Sequence, residues 1–257
     1  MIFTIDIGNS NIVIGLMDAE KNLVFSGRIR SDLQKTKEEF QKELQNLFHD
    51  TCPIMPSQAE GVILSSVVPM LTSIIRDAMA NLTGRRPIVV GQDIATGLHI
   101  KMDHPKRVGT DLLVDAVAAA SEHPGTIAIF DLGTATTCSI VDGNQTYLGT
   151  IIIPGVQISQ KALSEKAAQL PHIRFDHPGR LIGKNTVESM QSGVIYGTAA
   201  MIDGLVERLE DELVEPITVI ATGGIAGAIV PYCKRKVIYD PELLLKGLWY
   251  IYYKTYR

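Results

Sequence analysis

Residues 129–143 read IFDLGTATTCSIVDG: an apolar run ends in one acidic residue, a glycine and several small hydroxyl residues, and apolar residues then return at once. The same arrangement occurs near the N-terminus, where residues 4–18 read TIDIGNSNIVIGLMD. A carboxylate at the end of an apolar run is costly if it is buried without a partner. The pattern therefore predicts two tight turns in which Asp6 and Asp131 each have a specific task.

The two halves of the chain align around these turns. The matching pairs, with one residue of slip at the last, are Asp6 and Asp131, Gly8 and Gly133, and Asp18 and Asp142. Farther on, NLVFSGRI at 22–29 parallels QTYLGTII at 145–152. Each half then predicts three strands joined by two turns. An ancient duplication explains the shared register better than a chance likeness between two β-hairpins.

Helices and further strands follow each predicted meander, which indicates an α/β protein. Helical spacing or length predicts helices at 36–50, 70–83, 109–123, 156–169, 185–213 and 241–256, and strands at GVILSSVVP, RPIVVG, ITVIATGG and KVIY. No long Gly, Ser or Pro linker divides the chain. We expect two lobes, residues 1–115 and 116–257, with their boundary inside the helix at 109–123.

Composition excludes several function classes. The chain has 257 residues and a net charge of −4, so no nucleic-acid-binding face is expected. No apolar run approaches the roughly 20 residues of a membrane span, and MIFTIDIGNS has no basic segment typical of a signal peptide. The three cysteines are widely spaced and odd in number, which favours free thiols in the cytoplasm.

The two acidic turns have the chemistry of a phosphate and cation site. Glycine lets the backbone approach a ligand closely, and successive N–H groups in such a turn bind anions. Asp6 would repel a phosphate but can bind a hydrated Mg²⁺ that accompanies it. Two such turns facing each other across a cleft would hold a triphosphate. No P-loop competes, because GRLIGKNT has one residue too few between its glycines.

A third carboxylate, Asp111 in RVGTDLL, stands at or near a predicted helix start. From the sequence alone, the role of Asp111 has two possible interpretations. One is an N-cap, a common task for Asp. The other is a general base that takes a proton from a substrate hydroxyl during phosphoryl transfer. Spacing alone favours the cap.

The ordered motifs identify a family resemblance that covers the whole chain. The motifs are DIGNSN, SSVVP, TGL, HPKRVGTD, FDLGTATT, YLGTIIIPGV, ALSEKAAQLP, IGKNTVESMQSG and ATGG. In this order they resemble type III pantothenate kinases, within the superfamily of actin, sugar kinases and heat-shock ATPases. The resemblance implies two similar ribonuclease-H-like lobes, each a mixed sheet flanked by helices.

The family resemblance also implies an activity and its cofactors. The activity is ATP-dependent phosphorylation of the primary hydroxyl of pantothenate, the first step of coenzyme A biosynthesis. The cofactors are Mg²⁺ and a monovalent cation, K⁺ or NH₄⁺, and the assembly is a homodimer in the cytoplasm.

Residue roles follow from the resemblance position by position. The nucleotide set comprises Asp6 (with Mg²⁺), Ile7, Gly8, Asn9, Ser10, Asn11, Ile12, Val13 and Thr134. The substrate set comprises Met102, Gly109, Thr110, Asp111, Leu112 and Thr186. Asp131 matches the monovalent-cation ligand, and Asp111 matches the catalytic base, which reverses the preference for a cap.

Three departures from the family pattern fall on the acceptor side. Leu112 stands where the family motif usually has Arg, Met102 where many members have an aromatic residue, and Gly149-Thr150 where Gly-Gly is usual. Leucine donates no side-chain hydrogen bond, and losing a charge-assisted bond costs about 1.5–3 kcal/mol, roughly ten- to a hundredfold in affinity. Two alternatives therefore stay open: a kinase for another small alcohol, such as a nucleoside, or a non-catalytic, ligand-sensing paralogue.

Overall fold

The structure is a computed structural model that describes residues 1–256. It divides into two compact units. Unit 1 comprises residues 1–98, 103–121 and the chain from Glu242 onward, and unit 2 comprises 99–102 and 122–241. No helix within the described residues is long and apolar enough to span a membrane.

The predicted strands and helices occur in the predicted order, and the structure adds a short strand at His99–Ile100 and a short helix at Ala226–Ile229. The strands are β1 Ile2–Ile7, β2 Asn11–Met17, β3 Leu23–Arg30, β4 Gly61–Ser66, β5 Ile88–Val89, β6 His99–Ile100, β7 Thr126–Leu132, β8 Ala135–Val141, β9 Thr146–Pro154, β10 Ile217–Thr222 and β11 Ile238–Tyr239. The helices are α1 Lys37–Thr51, α2 Pro69–Thr83, α3 Thr110–Glu122, α4 Val156–Lys166, α5 Thr186–Leu213, α6 Ala226–Ile229 and α7 Leu243–Tyr256. The predicted α/β class is confirmed.

The sheet of unit 1 has the strand order β3-β2-β1-β4-β5. The first three strands form an antiparallel meander, and β4 then returns parallel to β1. β1 is therefore central, and both of its faces are covered, so that every residue except Asp6 is buried. One face packs against α1 and α2 through Phe3, Ile5, Phe40, Leu44, Leu71 and Ile75. The other packs against α3 and α7 through Ile2, Ile63, Val114, Val117, Leu248 and Ile251.

The sheet of unit 2 has the order β11-β10-β7-β8-β9-β6. Again a three-stranded antiparallel meander is followed by a strand, β10, that pairs parallel to the first. The buried side chains of α5 and α6 pack with those of β7, β8 and β10; they include Phe130, Cys138, Ile195, Ile202, Val219 and Ile229.

The internal repeat extends to the detail of the turns. Asp18 Oδ1 accepts a hydrogen bond from the N–H of Asn22 at 2.8 Å, and Asp142 Oδ1 accepts one from Thr146 at 2.9 Å. Each turn then has one non-glycine residue at positive φ: Lys21 at 69° and Gln145 at 60°. The two turns therefore share both a side-chain acceptor and a left-handed residue.

The register of the strands repeats as well. The pairing of β2 with β3 shifts between Leu16 and Met17, and that of β8 with β9 shifts between Ile140 and Val141. These are equivalent positions when Asp18 is aligned with Asp142. The sequence likeness on which the duplication was predicted thus corresponds to a likeness in backbone geometry.

The compact units do not coincide with a division at residue 115. Unit 1 includes most of α3 and also α7, which the sequence division placed in the second lobe. Close packing ties α7 to unit 1: a Cβ at Gly247 would collide with the carbonyl oxygen of Val114, and Trp249 Nε1 donates a hydrogen bond to the carbonyl oxygen of Asp18 at 2.7 Å. The amphipathic pattern of α7 predicts a helix but does not say which sheet it covers.

The C-terminal end of α5 contains a strained residue, and replacing it is predicted to stabilise the protein. Val214 caps the C-terminus of α5 in the left-handed region, at φ 57° and ψ 37°, and its side chain is 88% exposed. β-Branched residues are strained there, whereas glycine is not. We expect Val214→Gly to raise the free energy of unfolding by about 1 kcal/mol, measured by urea denaturation. Gly84 caps α2 in the same region at φ 68°, so Gly84→Val is the matched control and should be destabilising. Equal stability of both variants and the parent would contradict the assignment of strain.

Candidate functional site

The first acidic turn is held by main-chain and hydroxyl hydrogen bonds. The N–H of Gly8 donates to the carbonyl oxygen of Asn11 at 3.0 Å, which closes the turn between β1 and β2. Ser31 Oγ donates to the carbonyl oxygen of Gly8 at 2.6 Å. The tip residues Asn9 and Ser10 are exposed. The turn is therefore fixed by its hydrogen bonds, with Asn9 and Ser10 at the surface.

Asp6 lies at the base of this turn, half-buried. Ser65 Oγ donates to Asp6 Oδ1 at 2.6 Å, across the parallel pairing of β1 with β4. Ile7 and Ile12, which flank the turn, are buried in the core. Of the predicted nucleotide segment at 6–13, Ile7 and Ile12 can thus reach a ligand only through their main chain.

Helix α3 carries Asp111 in its first turn rather than at its cap. The helix begins at Thr110, and the N–H of Leu113 donates to the carbonyl oxygen of Gly109 at 3.3 Å, which makes Gly109 the cap residue. Asp111 Oδ1 instead accepts a hydrogen bond from the adjacent N–H of Leu112 at 2.8 Å. The N-cap interpretation of Asp111 is therefore wrong, because the residue lies inside the helix.

The surroundings of Asp111 destabilise its charged form. Burial raises the pKa of the Asp111 carboxyl above its usual value of 3.8, and the hydrogen bond from the Leu112 N–H offsets only part of this effect. A Cβ at Gly109 would collide with Asp111 Oδ1, so the glycine is what leaves space beside this oxygen. Raised carboxyl pKa values are typical of general bases that act near neutral pH.

Thr110 links the start of α3 to the end of β4. Its Oγ1 donates to the carbonyl oxygen of Ser66 at 3.0 Å. The end of β4 thus contacts Asp6 through Ser65 and the start of α3 through Ser66. Within unit 1 the structure therefore brings the predicted nucleotide turn and the residue beside Asp111 to the same end of the sheet.

The second acidic turn, in unit 2, is enclosed by two glycines. The N–H of Gly133 donates to the carbonyl oxygen of Ala135 at 3.1 Å, which closes the turn. Gly223 has φ 92°, and a Cβ there would collide with Asp131 Oδ1. A Cβ at Gly155 would collide with the carbonyl oxygen of Thr134. The turn therefore tolerates no side chain at either position.

Three of these supporting residues had no assigned role in the sequence analysis. Ser65, Gly155 and Gly223 lie in the motifs SSVVP, YLGTIIIPGV and ATGG, which served there only to establish the resemblance. A glycine next to a predicted acidic turn is a signal for close approach. A serine within an apolar strand carries no comparable signal.

The acceptor-side residues are divided between the units. Gly109, Thr110, Asp111 and Leu112 belong to unit 1, and Met102 and Thr186 belong to unit 2. Met102 Sδ lies 3.8 Å from the position that a Cβ at Gly149 would occupy, so Met102 lies beside the residue that precedes Thr150.

Thr186 is placed by a capped helix start. It is the first residue of α5, and the preceding Asn185 accepts a hydrogen bond through its Oδ1 from the N–H of Glu188 at 2.9 Å. Thr186 lines a cavity of about 850 Å³ within unit 2.

The oxygen atoms of the two acidic turns are suited to a cation that binds together with a phosphate-bearing ligand. Among residues 1–256, no cluster of three or more His, Cys, Asp or Glu side chains could hold a metal ion. Mg²⁺ often takes only one or two carboxylates together with phosphate oxygens and water, which Asp6 fits. Around the second turn, the Asp131 carboxylate and the carbonyl oxygens of Gly133 and Thr134 are oxygen atoms that could hold a cation.

Comparison with known proteins places the chain in a family. The sequence model of the type III pantothenate kinase family matches residues 2–208. A type III pantothenate kinase from Exiguobacterium sibiricum is 44% identical over 252 residues, which covers 98% of both chains. One from Geotalea uraniireducens is 41% identical over 255 residues, with 99% of both chains covered.

Solved structures share the fold at low sequence identity. A protein from Campylobacter jejuni, described as a candidate Baf family transcriptional activator, has a TM-score of 0.62 at 18% identity, with 98% of both chains covered. An activator of 2-hydroxyisocaproyl-CoA dehydratase from Clostridium difficile has a TM-score of 0.56 at 14% identity, with 99% of this chain and 96% of that chain covered. The fold is that of actin-like ATPases and sugar kinases. With the motifs, the family match and the full-length relatives taken together, the chain belongs to the type III pantothenate kinase family.

Proposed function

We propose that this protein transfers a phosphoryl group from ATP to the primary hydroxyl of pantothenate, the first step of coenzyme A biosynthesis. The observation that carries the proposal is the full-length similarity to type III pantothenate kinases, at 38–44% identity over 98% or more of this chain. The position of Asp111 at the start of α3, beside a residue without a side chain, supports it.

The nucleotide is assigned to the turn that runs from Asp6 to Val13, with Thr134 as a further contact. The exposed amide of Asn9 and hydroxyl of Ser10 are suitable donors for phosphate oxygens. Asp6 would hold Mg²⁺ together with the phosphates, since a carboxylate alone repels them. When bound, Mg²⁺ neutralises part of the charge on the β- and γ-phosphates.

Asp111 is assigned as the general base. Its carboxylate accepts the proton of the pantothenate hydroxyl while the hydroxyl oxygen bonds to the γ-phosphorus and the bond to ADP breaks. A raised pKa increases the basicity of the carboxylate, which favours proton transfer at neutral pH. Gly109 leaves room for Oδ1 itself, since a Cβ at this position would collide with that oxygen.

Asp131 is assigned as the ligand of a monovalent cation, K⁺ or NH₄⁺. Support comes from the oxygen-rich turn around Gly155 and from the closeness of Gly223, which fixes the carboxylate.

We also place the reaction in the cytoplasm. All three cysteines are free, and burial raises the pKa of the Cys138 thiol to about 12, so this thiol is unreactive.

The active form is proposed to be a homodimer that uses the α4 and α5 side of unit 2. Apolar side chains there are exposed: Ile158 at 49%, Leu163 at 49%, Leu181 at 64%, Ile182 at 73% and Val187 at 43%. Leu163 also lines the 850 Å³ cavity, together with Val156, Leu170, Met190 and Val194. Exposed apolar side chains beside an apolar cavity are suited to an interface. Helix α7, which is also apolar, packs against the core of unit 1 instead.

The activity is tested with purified protein, MgATP, K⁺ and pantothenate, with ADP release as the readout. We expect turnover in the parent and a loss of at least a hundredfold in kcat for Asp111→Asn, with little change in ATP affinity, because the base acts on the acceptor. A folded parent that releases no ADP above background would refute the activity. Full turnover in Asp111→Asn would refute the base. ATP binding without turnover on any acceptor would favour the non-catalytic alternative.

The same variant should be more stable than the parent at neutral pH. A carboxyl whose pKa is raised by folding contributes stability below its unfolded value of 3.8 and loses that contribution as pH rises through the folded pKa. The gain of Asp111→Asn in melting temperature should therefore grow as pH rises from about 4 to 7.

Asp93→Asn is a control for which we expect the melting temperature to change in the opposite direction. The hydrogen bond from the Val89 N–H and the charge of Arg76 lower its pKa. Asp93→Asn should therefore lower the melting temperature at neutral pH, by less as the pH falls. A lower melting temperature for both variants at neutral pH would contradict the assignment for Asp111.

The acceptor is tested at Leu112. A guanidinium at this position restores the family's usual donor, so Leu112→Arg should lower the KM for pantothenate by about ten- to a hundredfold if the rest of the pocket is conventional. A panel of other small alcohols, including nucleosides, is assayed beside it. A much higher kcat/KM for one of them, and no gain for pantothenate in the variant, would favour the other-acceptor alternative.

The dimer is tested by light scattering during size-exclusion chromatography. We expect twice the chain mass of 28.0 kDa and a shift to the monomer for Leu163→Asp. The matched control is Met55→Asp, which changes an apolar side chain of unit 1 that is 69% exposed. A monomeric parent, or equal dissociation of both variants, would contradict the interface.

A further inference from the structure

Ser65 occupies a position from which it can act only on its neighbours within the sheet. It is fully buried, and its hydroxyl donates to Asp6 Oδ1 at 2.6 Å. The parallel register of β1 and β4 places Asp6 directly beside Ser65. The bond is therefore partly shielded from water and is set by the strand pairing. Hydrogen bonds to a carboxylate are among the stronger ones in proteins, especially when water is excluded.

The bond fixes the rotation of the Asp6 side chain. With Oδ1 held by Ser65, Oδ2 lies on the side of the turn, 3.7 Å from the position that a Cβ at Gly8 would occupy. The two carboxylate oxygens thus have different surroundings. A carboxylate that must present one oxygen to a cation benefits from having the other one held.

The adjacent serine on the same strand has a different task. Ser66 Oγ accepts hydrogen bonds from Thr72 Oγ1 at 2.7 Å and from the N–H of Val68 at 3.1 Å, so it fastens the start of α2. Successive residues of a strand point to opposite faces, which separates these two roles. Ser66 is therefore a matched control for Ser65: the same strand and the same side chain, but other partners.

The internal repeat places a second hydroxyl residue in the equivalent position. In unit 2 the parallel pairing of β7 with β10 sets Thr222 beside Asp131, and Thr222 is also buried. A buried hydroxyl next to the acidic residue of the turn is thus common to both halves of the molecule.

We propose that Ser65 is a positioning residue that orients the Asp6 carboxylate toward the Mg²⁺ of MgATP. The inference rests on the proposed role of Asp6 toward the nucleotide. Ser65 does not touch the substrates, and its effect passes through Asp6. Removing its hydroxyl should weaken MgATP binding and leave the KM for pantothenate unchanged.

Titration calorimetry with a non-hydrolysable ATP analogue in Mg²⁺ tests the proposal without any acceptor. We expect Ser65→Ala to bind the analogue about tenfold more weakly than the parent, since a hydrogen bond to a charged group is lost. Ser66→Ala should lower the melting temperature and leave the affinity for the analogue unchanged. Ser65→Cys, which is similar in size and a weak donor, repeats the test should the alanine variant fold poorly.

A double-mutant cycle shows whether Ser65 acts through Asp6. In the Asp6→Asn background, Ser65→Ala should cause little further loss of affinity. Parent-like affinity in Ser65→Ala and Ser65→Cys, equal losses in the Ser65 and Ser66 variants, or a full loss in the Asp6→Asn background would each overturn the proposal. The calorimetric experiment contains no pantothenate, so its result does not depend on which alcohol is the acceptor. If pantothenate is not the acceptor, the test of Ser65 still holds, and the two failures can be told apart.

Discussion

A carboxylate at the end of a buried central strand must be given partners, and this requirement shapes both halves of the molecule. β1 and β7 are each flanked by an antiparallel strand on one side and a parallel strand on the other. Only the end of such a strand can carry an acidic side chain, because both faces of the rest are covered. The parallel neighbour supplies the support: a serine hydroxyl for Asp6, and a glycine backbone that crowds Asp131.

Because the same three-stranded meander occurs twice, its acidic turn can have a different function in each half. The strand register, the bulge positions and the second turn of each meander agree between the halves. The surroundings of the two carboxylates include a serine hydroxyl at Asp6 and the close backbone of Gly223 at Asp131. We propose a nucleotide and its divalent cation at one turn and a monovalent cation at the other. The departures from the family pattern, at Leu112, Met102 and Thr150, leave both turns unchanged.

The sequence predicts those parts of the structure that depend on local order. Both meanders follow from apolar runs separated by Asp-x-Gly, and α1 follows from the spacing of Phe40 and Leu44. The placement of α7 does not follow, because an apolar helix face fits either sheet equally well. The N-cap interpretation of Asp111 was wrong because the N-cap residue is Gly109, two positions earlier. Helix boundaries depend on main-chain hydrogen bonds, which residue type alone does not determine. The role of Ser65 was hidden for a related reason: its partner is distant in sequence and adjacent only through strand pairing.

The central claim is that the acidic turns serve the nucleotide and its cations, and equilibrium binding of an ATP analogue to single variants tests it most directly. Asp6→Asn should lose the Mg²⁺-dependent part of the affinity. We expect K⁺ to increase the affinity of the parent, and Asp131→Asn should lose this increase. Asp18→Asn and Asp142→Asn alter the carboxylates of the second turn of each meander, so they should affect stability only. Affinities of the Asp6 and Asp131 variants that match the parent, with the same dependence on Mg²⁺ and K⁺, would contradict the account.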